Sequence, residues 1–417
     1  MSAIDYSTFS LDNGLKVIVH EDKGLAKVVV NILYRVGARD EDEHRTGFAH
    51  LFEHLMFGGS KHIKDYDTAL QRVGGENNAF TTNDITNYYL TVPSNQIETA
   101  FWLESDRMLE LDFSQRNLDV QKSVVIEEFK QRYLNKPYGD AHLILRALAF
   151  TTHPYKWPTI GKEISHIEDA TLEDVKDFFF GFYAPNNATL VVAGNTTEKE
   201  VKSLANKWFG PIPNRHLKTH DLPVEPEQTA PRKQTVHRDV PFPAVYKMYH
   251  IPAKGTRGYF IADMITDILS AGKAGHLFQH MVKETQVASS VRAFVWGAHH
   301  PGAISIDGTV ARGKTVDDYE RELNVVLNEL LSLSDSELQR VKNSIESQYI
   351  MERTTLLNRA MILAMSDCIG DPELANLSLE TYLSITREEI VEGVRQFLNP
   401  DNCSTLYYLP QHAKAND

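Results

Sequence analysis

Five residues, His50-Leu51-Phe52-Glu53-His54, constrain this chain more than any other feature of its sequence. They sit in a run from about Thr46 to Met56 that is otherwise rich in apolar residues (Phe48, Leu51, Phe52, Leu55, Met56), and Gly58-Gly59 follows. The pattern predicts a helix stopped by the glycines. On a helix, positions i and i+4 share a face, so both imidazoles can reach one ion. Burying two imidazoles and a carboxylate on an apolar helix is costly unless they share a partner. A metal is the most economical partner, and imidazole nitrogen is a good ligand for zinc. Glu53, three residues after His50 and next to His54, can meet the ion's open coordination position through a water. The order of residues reverses that of HExxH, but the chemistry is the same: two ligands plus a carboxylate that accepts a proton from the water. In a chain with 17 histidines the bare pattern is weak, and the apolar context carries the argument.

Such a site needs a third protein ligand, leaving the fourth position open. The candidates are Glu127 and Glu128 in the helical segment QKSVVIEEFKQ. Adjacent helical residues point about 100° apart, so only one of them faces the site. Glu128 falls four residues after Val124 and three after Val125, which puts it on the inward face with them and with Phe129. Glu127 lies farther round. Zinc held by His50, His54 and Glu128, with Glu53 as base, is the expected centre.

The rest of the chain reads as a mixture of strands and helices. Residues 7–36 suggest a strand pair turning at Asn13-Gly14 and then a more buried strand. Residues 78–92 read as strand. Helical patterns cover 95–109, 115–133, 137–149, 171–180 and 197–208, with a buried strand at 189–195. Between Pro211 and Pro231 five prolines stand among mostly polar residues, the texture of an extended linker. Beyond it come strand 244–251, helices 258–270 and 275–285, strands in 287–310, helix 315–331, a long helix 335–365, helix 386–397 and strand 405–409. The expectation is an α+β fold of two similar domains, each an antiparallel sheet flanked by helices. The expected boundaries are 1–215 for the metal-bearing domain, 216–235 for the linker and 236–417 for a related domain without the metal site.

Composition narrows the function classes. The 417 residues are 42% hydrophobic and 24% charged, ordinary for a globular chain of two or three domains. The net charge of -13 argues against nucleic acid or an anionic membrane as main partner. No run approaches the ~20 apolar residues of a membrane span. The N-terminal segment lacks the basic and apolar regions of a signal peptide, so the expected location is cytoplasmic, although a trimmed export signal would leave the same sequence. Cys368 and Cys403 stand in no metal or redox motif and are expected as free thiols. His299-His300 reads as a loop before Pro301, and Gly272 and Gly275 as glycines at helix ends.

The segments GFAHLFEHLMFGGS, GGENNAFTTNDITNYYLTVP, VVIEEFKQ and FYAPNNATLVVAGN, in that order over residues 8–210, resemble the pitrilysin/insulinase family of inverted-zincin metallopeptidases. The likeness is to the zinc-bearing subunit of its two-subunit processing-peptidase-like members. It implies two similar α+β domains, histidine ligands at His50 and His54, and the general base at Glu53. The family's ligand glutamate, the second carboxylate of E-x6-E, falls on Glu128. The first falls on position 121, here Gln121, so an amide replaces a supporting charge. The resemblance also implies that Asn78 and Ala79 hold the backbone of a peptide added as an extra strand, a mode that tolerates varied side chains.

The second half departs from the family. Single-chain members and the non-zinc partner subunits carry an Arg and a Tyr seven residues apart that steady the scissile carbonyl and its oxyanion. The corresponding positions here are Val282 and Ser289, with Arg292 out of register. The expectation is therefore a zinc endopeptidase for peptides or unfolded segments. It would need a paralogous subunit bearing Arg and Tyr (a heterodimer), or else form a homodimer with another polarising group. The rival is a non-catalytic scaffold or partner subunit of the same fold.

Overall fold

The computed structural model describes residues 3–218 and 221–411. The chain divides into two compact units, each discontinuous in sequence. The first comprises Met1–Phe129, Trp157–Leu222 and Tyr349–Leu377, the second Lys130–Lys156, Pro223–Gln348 and Ser378–Asp417.

In the first unit six strands form one sheet: β1 (Ser7–Ser10), β2 (Lys16–Glu21), β3 (Lys27–Tyr34), β4 (Glu76–Thr81), β5 (Thr86–Pro93) and β6 (Ala188–Gly194), in the order β1-β2-β6-β3-β5-β4. All neighbours are antiparallel except β2 and β6. β6 is wholly buried and β3 is buried from Val28 onward, so this sheet must be covered on both faces. The helices Ile97–Leu109 and Glu198–Trp208 pack on it. The helix Leu356–Cys368 covers the face bearing Ile18, Val29, Leu33, Val191 and Ala193. Asp367 pins that helix down, accepting from Arg35 Nη2 at 2.7 Å and from Thr189 Oγ1 at 2.6 Å.

In the second unit β7 (Arg232–Arg238), β8 (Ala244–Ile251), β9 (Ala288–Trp296), β10 (Gly302–Val310) and β11 (Cys403–Pro410) form a sheet ordered β7-β11-β8-β10-β9, antiparallel except for β7 with β11. Ala244, Met248, Ala303 and Leu406 meet the helix Ala141–Ala149 on one face. Val245, Tyr249, Ile304 and Ile306 meet the helices Arg257–Ser270, Val316–Glu329 and Arg387–Phe397 on the other.

The two-sheet α+β architecture matches the expectation, with one parallel pair in each sheet added to it. The boundaries differ. The passage between units at Leu222 and Pro223 lies inside the expected linker, whose positions 219 and 220 are outside the described residues. That linker ends sooner than 235, because β7 begins at Arg232. Segments 130–156 and 349–377 each belong to the unit their sequence position would not suggest. The reason is physical: each sheet is apolar on both faces, and a helix remote in sequence covers one of them. Three elements also differ locally. The expected strand 78–92 is two strands, turning at Thr82–Ile85, where Thr82 N–H donates to Ile85 O at 2.8 Å. The expected helix 335–365 is two helices, because Thr355 caps a new one by accepting from Asn358 N–H. The β1-β2 connection runs over residues 11–15 rather than two, with Asn13 Nδ2 bonded to Phe209 O and Ile212 O.

Candidate metal centre

The expected centre lies within the first unit. The helix Phe48–Leu55 is only eight residues long, too short to persist alone. Packing holds it: the Phe52 ring lies 5.0 Å from Phe178 and 5.2 Å from Tyr183. Gly47 starts it at φ 92°, and a Cβ there would lie 2.6 Å from Ile160 O, so no other residue fits without strain. Glu41, buried, accepts from Gly47 N–H at 2.9 Å and Ala49 N–H at 2.8 Å. Its carboxylate thus satisfies two of the helix's orphan donors. Burial pushes the Glu41 carboxyl well above the usual range, while those two backbone bonds pull it down.

The helix Gln115–Phe129 packs against this one. Its buried stripe is Leu118, Val125 and Phe129, whereas Val124 is 44% exposed. Val124 therefore does not share the inward face expected of it. Val125 does, and Glu128 beside it is half-buried, whereas Glu127 is exposed.

His50, His54 and Glu128 converge. Glu128 Oε2 lies 3.6 Å from His50 Nε2 and 3.4 Å from His54 Nε2, and the three donor atoms fall within 4.8 Å of one another. Ligands at zinc distances of about 2.1 Å in a tetrahedron stand about 3.4 Å apart. The two Glu128 contacts match that spacing, and two imidazole nitrogens with one carboxylate oxygen are a donor set that zinc accepts. This is the one such group of histidines, cysteines and carboxylates found among the described residues.

Glu53, half-buried on the same helix, is held by a residue that sequence reading passed over: Thr81 Oγ1 donates to Glu53 Oε2 at 2.6 Å. Thr81 ends β4, which pairs only with β5 among the described residues and is an edge of the sheet. Asn78 is exposed on that edge and Ala79 half-buried, with Ala79 N–H taken by the Asn78 side chain at 2.8 Å. In the second unit, Val282 packs against the core and Ser289 is exposed on β9. Arg292 pairs with Asp307 at 2.9 Å. His300 N–H donates to the Tyr155 hydroxyl in the loop after β9. Both cysteines are free.

Two family models cover most of the chain: "Insulinase (Peptidase family M16)" over residues 16–161 and "Peptidase M16 inactive domain" over residues 169–345. The zinc protease PqqE of Helicobacter pylori is 25% identical over 97% of this chain and 93% of its own length. A probable mitochondrial-processing peptidase subunit beta of Arabidopsis thaliana is 21% identical over 84% of this chain and 68% of its own. Among solved structures, a Helicobacter pylori protease superposes with a TM-score of 0.92 at 24% identity, over 98% of this chain and all of that one. A peptidase M16 inactive domain from Pseudomonas fluorescens superposes at 0.88 with 16% identity, over 98% of each chain. No helix among the described residues is long and apolar enough to cross a membrane.

Proposed function

The chain belongs to the insulinase family, peptidase family M16, and on that premise we propose that it is a zinc-dependent endopeptidase acting on peptides or unfolded segments. One observation carries the reading: the convergence of His50, His54 and Glu128, whose donor atoms lie within 4.8 Å of one another, with the Glu53 carboxylate on the same helix. Those three residues would hold zinc, which would supply a Lewis acid for a water and for the scissile carbonyl. Glu53 accepts the proton of that water at its carboxylate. As the water oxygen bonds to carbon and the C–N bond breaks, Glu53 passes the proton to the leaving amine nitrogen. The edge of β4 at Asn78 and Ala79 takes the substrate as an added strand, through main-chain hydrogen bonds. A partner subunit, or a second copy of the chain, completes the site with the carbonyl-polarising groups that Val282 and Ser289 do not provide.

The test is metal analysis joined to one substitution. The purified protein should hold about one zinc per chain, and Glu53→Gln should keep the metal while abolishing hydrolysis of unstructured peptides. A protein that binds no zinc, or a Glu53→Gln variant as active as its parent, would overturn the reading.

A further inference from the structure

We infer that Thr81 is a positioning residue for the base, tying Glu53 to the strand that receives the substrate; the inference rests on the peptidase reading above. A glutamate side chain has three rotatable bonds, and helical backbone restricts only the first of them. The Thr81 hydroxyl, 2.6 Å from Glu53 Oε2, makes a charge-assisted bond that sets the plane and rotamer of the carboxylate. Thr81 is itself held firmly. It pairs with Thr86 across the turn. Within that turn Thr82 Oγ1 accepts from Asp84 and Ile85 N–H, and Asp84 pairs with Arg39 at 2.9 Å. Side chains alternate along a strand, so Ala79 and Thr81 share a face, about 7 Å apart along β4. One short strand therefore carries both the edge at which the peptide is read and the anchor of the base. A peptide bond placed against Asn78 and Ala79 is placed against Glu53 by the same rigid element. Alignment of this kind raises kcat rather than binding.

Thr81→Val keeps the shape and removes the donor, and Thr81→Ser keeps the donor. Both variants should bind zinc as the parent does. In Thr81→Val, kcat should fall about tenfold with KM within about twofold, and Thr81→Ser should recover most of the loss. A crystal structure of zinc-loaded Thr81→Val should show the Glu53 carboxylate displaced while His50, His54 and Glu128 stay in place. A Thr81→Val enzyme with parental kcat, a Thr81→Ser enzyme no better than Thr81→Val, or an unmoved carboxylate would each overturn the assignment. If the parent cleaves nothing even with a paralogous subunit that carries Arg and Tyr, the peptidase reading has failed, and the position of the carboxylate in Thr81→Val still decides whether Thr81 holds Glu53.

Discussion

The carboxylate of Glu41 accepts the backbone N–H of Ala49, the residue before His50, at 2.8 Å, and takes the Gly47 N–H with its other oxygen. This buried clamp fixes the start of an eight-residue helix that has little stability of its own. Glu41→Ala would leave two buried amides without acceptors, at about 1–3 kcal/mol each. The variant should melt lower than its parent without metal and lose zinc more readily to a chelator. Glu41→Gln, which keeps one accepting oxygen, should fall between. Equal melting temperatures for Glu41→Ala and its parent would remove the clamp from the account.

The two neighbouring glutamates should separate cleanly. Glu128 lies 3.4 and 3.6 Å from the two imidazoles, while Glu127 is exposed. Glu128→Gln should weaken zinc affinity by tenfold or more, since even supporting groups around a metal are worth about 10–100-fold. Glu127→Gln should weaken it only mildly. Isothermal titration with zinc measures both, and the reverse order would move the ligand to Glu127.

A pH dependence follows from the helix Arg257–Ser270. Burial, and then the charge of Asp263 one turn away, push Asp267 from its ordinary value up to about 6. A carboxyl raised in the folded state holds its proton longer than in the unfolded chain. Its contribution is therefore full below about pH 4 and is lost as pH rises through about 6. Asp267→Asn removes the loss. The variant should gain on its parent as pH rises from 4 to 7, by roughly 2–4 °C in melting temperature at the upper end. A difference that is flat with pH, or grows toward acid, would refute the assignment.

Most elements were legible because their period is local: the buried β6 at residues 188–194, the helices expected at 171–180 and 386–397 and found at Leu172–Phe182 and Arg387–Phe397, and the apolar run around His50 all announce themselves within about ten residues. What escaped depends on distance. The helix Leu356–Cys368 reads as the tail of a longer one until the Thr355 cap and its seat on β3 and β6 are seen. Val124 and Val125 are equally apolar, and only packing shows which is inside. Glu41 looks like one charge in a polar loop, and Thr81 like one threonine in a strand. Their partners, Ala49 and Glu53, come near only in the fold.

At the two positions where the family resemblance leads one to expect an Arg and a Tyr, this chain has Val282, packed against the core, and Ser289, exposed on β9. Arg292 is already paired with Asp307 and stacks over Phe294 at 5.0 Å, so recruiting it to a carbonyl means giving up that ion pair. The isolated chain should therefore bind zinc but cleave unstructured peptides poorly. Adding a paralogous subunit that carries Arg and Tyr should raise the rate at least about tenfold, since one aligned oxyanion donor is worth that or more. In a homodimer that uses Arg292 instead, light scattering would show two copies and Arg292→Ala would abolish turnover. Turnover of roughly 1 s⁻¹ or more by the monomeric chain alone would end the need for a partner and leave the zinc assignment standing.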